Sequence, residues 1–485
     1  MSEEKKDSEG IAEGLACKAI VAMTSVALYI MFFQLDIISA QVLLAFKIPV
    51  QTTTIYIEKI YGLRFLTFSL GTIIVYIIYA IYENIKPDMD HHHTRVTIKK
   101  TSFVVMLIGR VILLLVSCFS SNIPYHVYLA LTFESFGLGA AATYNIATVP
   151  QHSTVVIMSA HLSRLVTFLA QLLLDFVYRD NPLPKVRFQF LLCSTLNAIA
   201  VGCLFYYHDK SPCEIRNTPD NPEPKENGDG NTSTQDTSGG GHGGSNGGGE
   251  VSKKESERWS FGTTFSKVAS PFFMYSAGST LFDTVHPGVI PYALLPTKKC
   301  HLINMMSPIA NLTGPLTLFA LETAGLYNDW NSSFNAGWLF TIPMIIISVY
   351  SILAVHTRIP SARIIINNRP RVLAMTFSGA LGNSFMDPLS FSGVAKILFV
   401  PKGHIPDLGV LLLHELFCMV VRYFNDKLSV GYNVVRTSLG YVFPKFRPNH
   451  RMSKWNTFWY VLKQTFRKAI RDARSDLNLD VKKYL

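Results

Sequence analysis

Apolar residues run along this chain in long blocks instead of narrow stripes. The blocks fall at about 19–40, 62–83, 102–120, 126–149, 153–178 and 188–207, then after a polar interval at 268–295, 302–325, 334–356, 371–395 and 406–423. Several exceed the roughly 18 to 20 residues that a helix needs to cross a bilayer. Connections this short leave helices as the way to satisfy the backbone inside lipid, because a barrel needs alternating strands of about ten residues. The pattern predicts an all-α polytopic membrane protein of about eleven transmembrane helices, or twelve if a further crossing lies near 428–444.

The densest stretch is Phe136 to Asp175, where two apolar blocks meet across a few polar residues and predict a helical hairpin. Gly137, Gly139, Ala140, Ala141 and Ala142 lie together there, and small residues let a neighbouring helix approach at backbone distance. The one clear linker, 208–260, contains the run SGGGHGGSNGGGE. Such sequence buries too little apolar surface to offset its ordering entropy. The expected layout is therefore a six-helix bundle over 1–207, a flexible cytosolic loop over 208–260, a five-helix bundle over 261–423 and a basic amphipathic tail over 424–485. Six spans, a loop and five spans also suit the major facilitator arrangement of two bundles about a midplane site.

Composition agrees, with 49% hydrophobic and 16% charged residues. The excess of 44 Lys+Arg over 33 Asp+Glu sits mostly in loops and tail. It reads as orientation signal, not as a nucleic-acid footprint. The polar start MSEEKKDSEG precedes no short cleavable segment, so the first span is expected to act as an uncleaved anchor. The seven cysteines are scattered without a CxxC or Cys/His pairing and read as apolar fillers, not as a disulfide frame. No Walker loop, nucleophile elbow or HExxH occurs, and His91-His92-His93 has no further ligands nearby in sequence. Neither an enzyme nor a metal or other cofactor is expected.

Pro150, Thr154, Ile157-Met158-Ser159 and Ala160 resemble, without a gap, the junction of the fourth and fifth spans in the equilibrative nucleoside transporter family. Where that family tends to read Gly-Gln-Gly, this chain reads Ala160-His161-Leu162. Two further echoes are TLFDTVHPGVIP, from Thr280 to Pro291, and Leu381-Gly382-Asn383-Ser384-Phe385-Met386. Departures accompany them. The family's eighth span presents an Asp and, four residues later, an Arg, whereas Asn311-Leu312-Thr313-Gly314-Pro315 puts Asn and Pro in those places. The first span keeps a Phe-Phe-x-Leu but lacks the family's Trp-Asn. The resemblance implies a divergent carrier of the major facilitator type, moving nucleosides, nucleobases or similar small polar solutes by facilitative alternating access. A carrier of an unrelated solute, or a scaffold that kept the fold and lost transport, remains the alternative. The plasma membrane is expected over an internal one.

Charged side chains inside spans are the candidate chemistry, since each costs on the order of 3 kcal/mol at a helix centre and must be paired or wet. Those singled out as lining or gating a path are Glu134, Arg164, Asp283, His286, Asn383 and Asp387. Asp283 and His286 are three apart, with Pro287 and Pro291 beyond to break the helix. Asn383 and Asp387 are four apart, beside Pro388. Glu134 and Arg164, on neighbouring helices of the expected hairpin, could also form a structural ion pair. Asp36, Gln34, His414 and Glu415 lie in spans too, and His286, His161 and His414 could carry protons. Arg64 and Arg110 read as snorkelling or loop-bracing residues, and Asp175 as interfacial.

Orientation divides the halves. With the N-terminus inside, Lys99-Lys100 and Lys253-Lys254 are cytosolic, as the positive-inside rule prefers. The same count puts Arg358, Arg363, Arg369, Arg371 and the tail outside. In that tail Trp455, Phe458, Trp459, Leu462, Phe466 and Ile470 share one helical face, the pattern of a helix on an anionic cytosolic leaflet.

Overall fold

The computed structural model describes residues 2–85, 91–147, 149, 152–206, 261–399, 408–443, 445–476 and 481, and the elements and contacts are those of these residues. The expected loop 208–260 lies outside them. Six helices form the first part of the chain: α1 (Ser2–Ala45), α2 (Thr53–Ile85), α3 (His91–Phe119), α4 (Ile123–Ala147), α5 (Ser153–Tyr178) and α6 (Pro182–Tyr206). The second part holds α7 (Phe261–Phe282), α8 (Thr297–Thr323), a 3-10 segment (Ser332–Phe340), α9 (Thr341–His356), the single turn α10 (Pro360–Arg363), α11 (Arg369–Phe399) and α12 (Leu408–Ser438). A two-residue hairpin, β1 (Tyr441–Val442) and β2 (Lys445–Phe446), then leads to α13 (Lys454–Asp476).

Burial is inverted relative to a water-soluble protein. Leu70, Ile74, Ile77, Ile78 and Ile81 of α2, Leu169, Leu172, Leu173 and Phe176 of α5, and Ile342, Ile345, Ile346 and Val349 of α9 are exposed. Glu58, Arg64, Arg110, Glu134, His414 and Asp426 are buried. An apolar exterior around a charged interior is the arrangement that lipid selects and water does not. Among the described residues, six helical stretches are long and apolar enough to cross a bilayer, one of them the 3-10 segment continued by α9. The chain is an integral, multi-pass, all-α membrane protein.

The glycine-rich face of α4 works as a close-approach surface on two sides. A Cβ at Gly137 would lie 3.0 Å from Met106 of α3, and one at Gly139 would run into the Phe68 carbonyl of α2. Thr72 of α2 donates to the Gly139 carbonyl at 3.3 Å. The hairpin expected at 136–175 takes a different form: α4 packs mainly on α2 and α3, and α5 on α1 and α8. α4 and α5 follow each other in the chain without being principal neighbours. The expected Glu134–Arg164 pair is therefore not made. Glu134 instead receives Arg64 at 3.2 Å and Arg110 at 3.1 Å. Arg64 and Arg110 neither snorkel nor brace loops, since both are 1% exposed.

Two other expectations give way to the structure. The seventh block does not continue as one helix to 295, because α7 ends at Phe282 and is followed by successive turns through Leu295. Pro287 and Pro291 lack the N–H that a helix would use there. The last block does not end at 423, nor does a separate crossing start near 428. Residues 408–438 are one helix, closed by Gly440 at φ +85°. Its second half stays buried because its polar residues have partners: Ser429 donates to Glu58 of α2 at 2.9 Å, and Asn425 to Ser279 of α7 at 2.9 Å.

The α13 helix runs back along α12, where Thr465 and Ala469 meet Gly431. Lys59 of α2 and Lys427 of α12 converge on Asp472 and Asp476 of α13, with Lys59 Nζ 2.6 Å from Asp472 Oδ1 and Lys427 Nζ 2.5 Å from Asp476 Oδ2. Burial raises the Asp472 carboxyl, yet Lys427 and Lys59 outweigh it and hold the group below its ordinary range. At Asp476 burial wins over Lys427, and the group is raised. The aromatic side of α13, Trp455, Phe458, Trp459, Leu462, Phe466 and Ile470, is left exposed. Among the cysteines read as apolar fillers, Cys17 is disulfide-bonded.

Candidate functional site

A cavity of about 130 Å³ lies where the two parts of the chain meet, with walls from α1, α2, α5, α7 and its following turn, α8, α11 and α12. Its apolar surface is largely aromatic: Tyr29, Phe32 and Phe33 of α1, Tyr61, Phe65 and Phe68 of α2, Tyr275 and Phe282 of α7, and Phe391 of α11. Between the rings stand Asp36, His161, Arg164, Asp283, His286, Asn311, Asn383, Asp387, Glu415 and Arg422. A concave site with aromatic walls and a few convergent polar groups is the usual form of a small-molecule site.

Five of the six residues singled out in the sequence reach this cavity: Arg164, Asp283, His286, Asn383 and Asp387. Glu134 does not line it and stays between Arg64 and Arg110. Asp283 and His286 reach the cavity from the turn after α7, not from one helical face. The Asp283 N–H donates to the Ser279 carbonyl at 2.8 Å, and the His286 ring stacks on Phe282 at 4.8 Å. Asn383 and Asp387 stand a turn apart on α11, where the backbone at Ser384 fills the space that a Cβ on Gly314 of α8 would need. That close approach brings Asn311, three residues before Gly314, to the same cavity.

The charges face one another across it. Arg164 Nη2 lies 3.7 Å from Asp36 Oδ2, its guanidinium 3.9 Å from the Phe33 ring centre. His161 Nε2 lies 3.7 Å from Asp387 Oδ2, joining α5 to α11. Asp283 pairs with Arg422 of α12, whose guanidinium is 5.1 Å from the Phe65 ring centre. Tyr61 donates to Asp36 at 2.6 Å. Asn383 Oδ1, buried, has no hydrogen-bond partner among the described residues. The separations of 3.7 Å exceed a direct hydrogen bond, so both pairs are ion pairs without one.

Sequence reasoning missed Arg422, Tyr61 and the aromatic walls. The aromatics carry no signal inside apolar blocks. Arg422 did carry one: Arg422, Asp426, Ser429, Asn433 and Arg436 recur at helical spacing, a polar stripe that marks a continuing helix with a buried polar face.

The fold and the site thus define an all-α, multi-pass membrane protein with a charged, aromatic-walled cavity between its two parts. No protein-family model matches the chain, and no curated protein does. Among solved structures it is similar to a bacterial homologue of the iron transporter ferroportin in an outward-facing state. The TM-score is 0.48 at 12% identity, covering 96% of this chain and 99% of that one. It is also similar to the nucleoside transporter NupG. A single-residue mutant of NupG gives a TM-score of 0.46 at 12% identity over 94% of this chain and 99% of that one. A second NupG structure gives 0.43 at 12% identity over 94% and 98%.

Proposed function

We propose that this protein is a membrane carrier that passes small polar solutes, nucleosides or nucleobases foremost, through the central cavity by alternating access between two bundles of the major facilitator type. The observation that carries the reading is the cavity itself. Both parts of the chain contribute its walls, so rocking one part against the other would expose it to each face in turn. A planar heteroaromatic ring matches walls made of Phe and Tyr, which gain from offset or edge contact with such a ring. Hydroxyls and ring nitrogens match Asp283, Arg422, Asn383, Asp387 and Arg164, which offer acceptors and donors on opposite sides. In this reading Arg164, Asp283, His286, Asn383 and Asp387 bind or gate, and Glu134 braces α2, α3 and α4 behind them. The solute is carried without a cofactor, and the plasma membrane is the expected location.

The test is uptake of radiolabelled adenosine, inosine and hypoxanthine into proteoliposomes holding purified protein. Saturable uptake that Asn383→Ala and Asp283→Asn reduce, with both variants folded, is the expected result. No uptake of any of the three by folded protein overturns the purine reading.

A further inference from the structure

The seam between α2 and α12 holds two carboxylates and too few cations. Glu58 of α2 and Asp426 of α12 are each fully buried, at 0% exposure. They are neighbours across the seam. Ser429, three residues beyond Asp426, donates to Glu58 Oε1 at 2.9 Å, and a Cβ on Gly62, one turn beyond Glu58, would lie 3.5 Å from Asp426 Cβ. Neither oxygen of Asp426 nor Oε2 of Glu58 has a hydrogen-bond partner among the described residues.

The surrounding charges are committed elsewhere. On α12, Arg422 approaches Asp426 Oδ1 only at 3.5 Å while pairing with Asp283 from the turn after α7. Lys427, next in sequence, turns to Asp472 and Asp476 of α13 at 2.9 and 2.5 Å. Lys59 of α2 joins the same two aspartates at 2.6 and 3.5 Å. On α1, Asp36 adds negative charge and is matched by Arg164 of α5 at 3.7 Å. The turn after α7 brings Gly288 against Glu58, Ser429 and Asn433 without adding a charge. Two adjacent carboxylates out of water, sharing the distant side of one engaged guanidinium, cannot both ionise.

We propose that Glu58 and Asp426 hold one proton between them across this seam, and that releasing it to water as the seam opens makes the protein a proton-coupled carrier. With the proton in place, one carboxyl is neutral and can donate to the other, tying α2 to α12. Without it, two anions face each other across the two parts of the chain and favour separation. In a coupled cycle the solute-loaded carrier takes up the proton at one face and releases proton and solute together at the other. The empty carrier recrosses without the proton, so each cycle moves one proton with one solute. The coupling rests on the transport reading above, whereas the shared proton does not.

Two measurements keep these apart. Infrared spectra of the purified protein in lipid at neutral pH are expected to show the C=O stretch of a buried protonated carboxylic acid. Other buried carboxyls such as Glu415 can add to that band, so the reading is the difference between wild type and the Glu58→Gln/Asp426→Asn double variant. The variant should lose part of the band, and identical bands in the two proteins overturn the shared proton. In proteoliposomes an acid-outside gradient of about one pH unit should concentrate neutral hypoxanthine or adenosine inside up to about tenfold for one coupled proton. The double variant should still exchange labelled for unlabelled solute at equal pH but lose that accumulation. Exchange by wild type without gradient-driven accumulation overturns the coupling while leaving transport intact. Absence of exchange for adenosine, inosine and hypoxanthine overturns coupling to these solutes together with the purine reading, and the infrared band then decides the shared proton by itself.

Discussion

Replacing Glu134 with Gln tests how this protein tolerates charge in its interior. The side chain keeps its shape, so packing is unchanged and only the charge goes. Glu134 stands between Arg64 at 3.2 Å and Arg110 at 3.1 Å, all three at 0–1% exposure. The substitution turns a buried net charge of one into two. Removing one member of a buried ion pair costs about 3–5 kcal/mol. The guanidiniums keep part of their hydrogen bonding: Arg110 Nη2 donates to the Leu28 carbonyl at 2.7 Å and Arg64 Nε to Ser135 Oγ at 2.8 Å. Those surviving bonds place the expected loss toward the lower end, about 3 kcal/mol. Arg64→Met removes the surplus charge and leaves the Glu134–Arg110 pair neutral, so it should cost less than Glu134→Gln. Thermal unfolding of detergent-purified protein, followed by tryptophan fluorescence, gives the order. A Glu134→Gln protein as stable as wild type, or an Arg64→Met protein less stable than it, refutes the reasoning.

Other consequences follow from close approaches and from the tail. Gly139→Leu must force α4 away from Phe68 of α2 and should cost about 1–3 kcal/mol or more by overpacking, read as a lower unfolding temperature. Gly431→Leu should displace α13, because its side chain would enter the space of Thr465 and Ala469; the check is faster proteolysis within 454–476 than in wild type. Asp472 is held below its ordinary range by Lys427 and Lys59 against the opposing effect of burial. Its contribution to α13 docking is therefore present above the ordinary Asp value of about 3.9 and lost as pH falls through the lower docked value. Proteolysis of α13 measured against pH should rise in acid in wild type, and Asp472→Asn should remove that acid limb. Asp476, raised by burial, has the opposite sign and does not supply an acid limb.

The fold class was legible because lipid allows few solutions. Blocks of apolar residues separated by short polar joints can be satisfied only by helices, and the helices lie close to those blocks. What failed was the reading of ends and neighbours. Hydropathy falls after Arg422, so the last block looked complete at 423, yet Asp426, Lys427, Asn433 and Arg436 are carried inside on a helix running to Ser438. An average over a window cannot tell a polar loop from a polar stripe facing α2 and α13. Adjacency in sequence misled at Glu134 and Arg164, because α4 and α5 follow each other but pack on different partners. The candidate site was legible where a charge or an Asn interrupts an apolar block, as at Arg164, Asp283, Asn383 and Asp387. The aromatic walls were not, since a Phe facing a cavity and a Phe facing lipid look alike in sequence.

Alternating access would bare the cavity wall to each side of the membrane, and thiol labelling reads that exposure. Ala160 of α5 lines the cavity, so Ala160→Cys in a background without the free cysteines places one reporter there. A small, charged, membrane-impermeant thiol reagent is then applied to one face of proteoliposomes of defined orientation at a time. A cavity that opens to each side in turn is modified from either face. Modification from one face alone, or from neither in folded protein, contradicts alternating access.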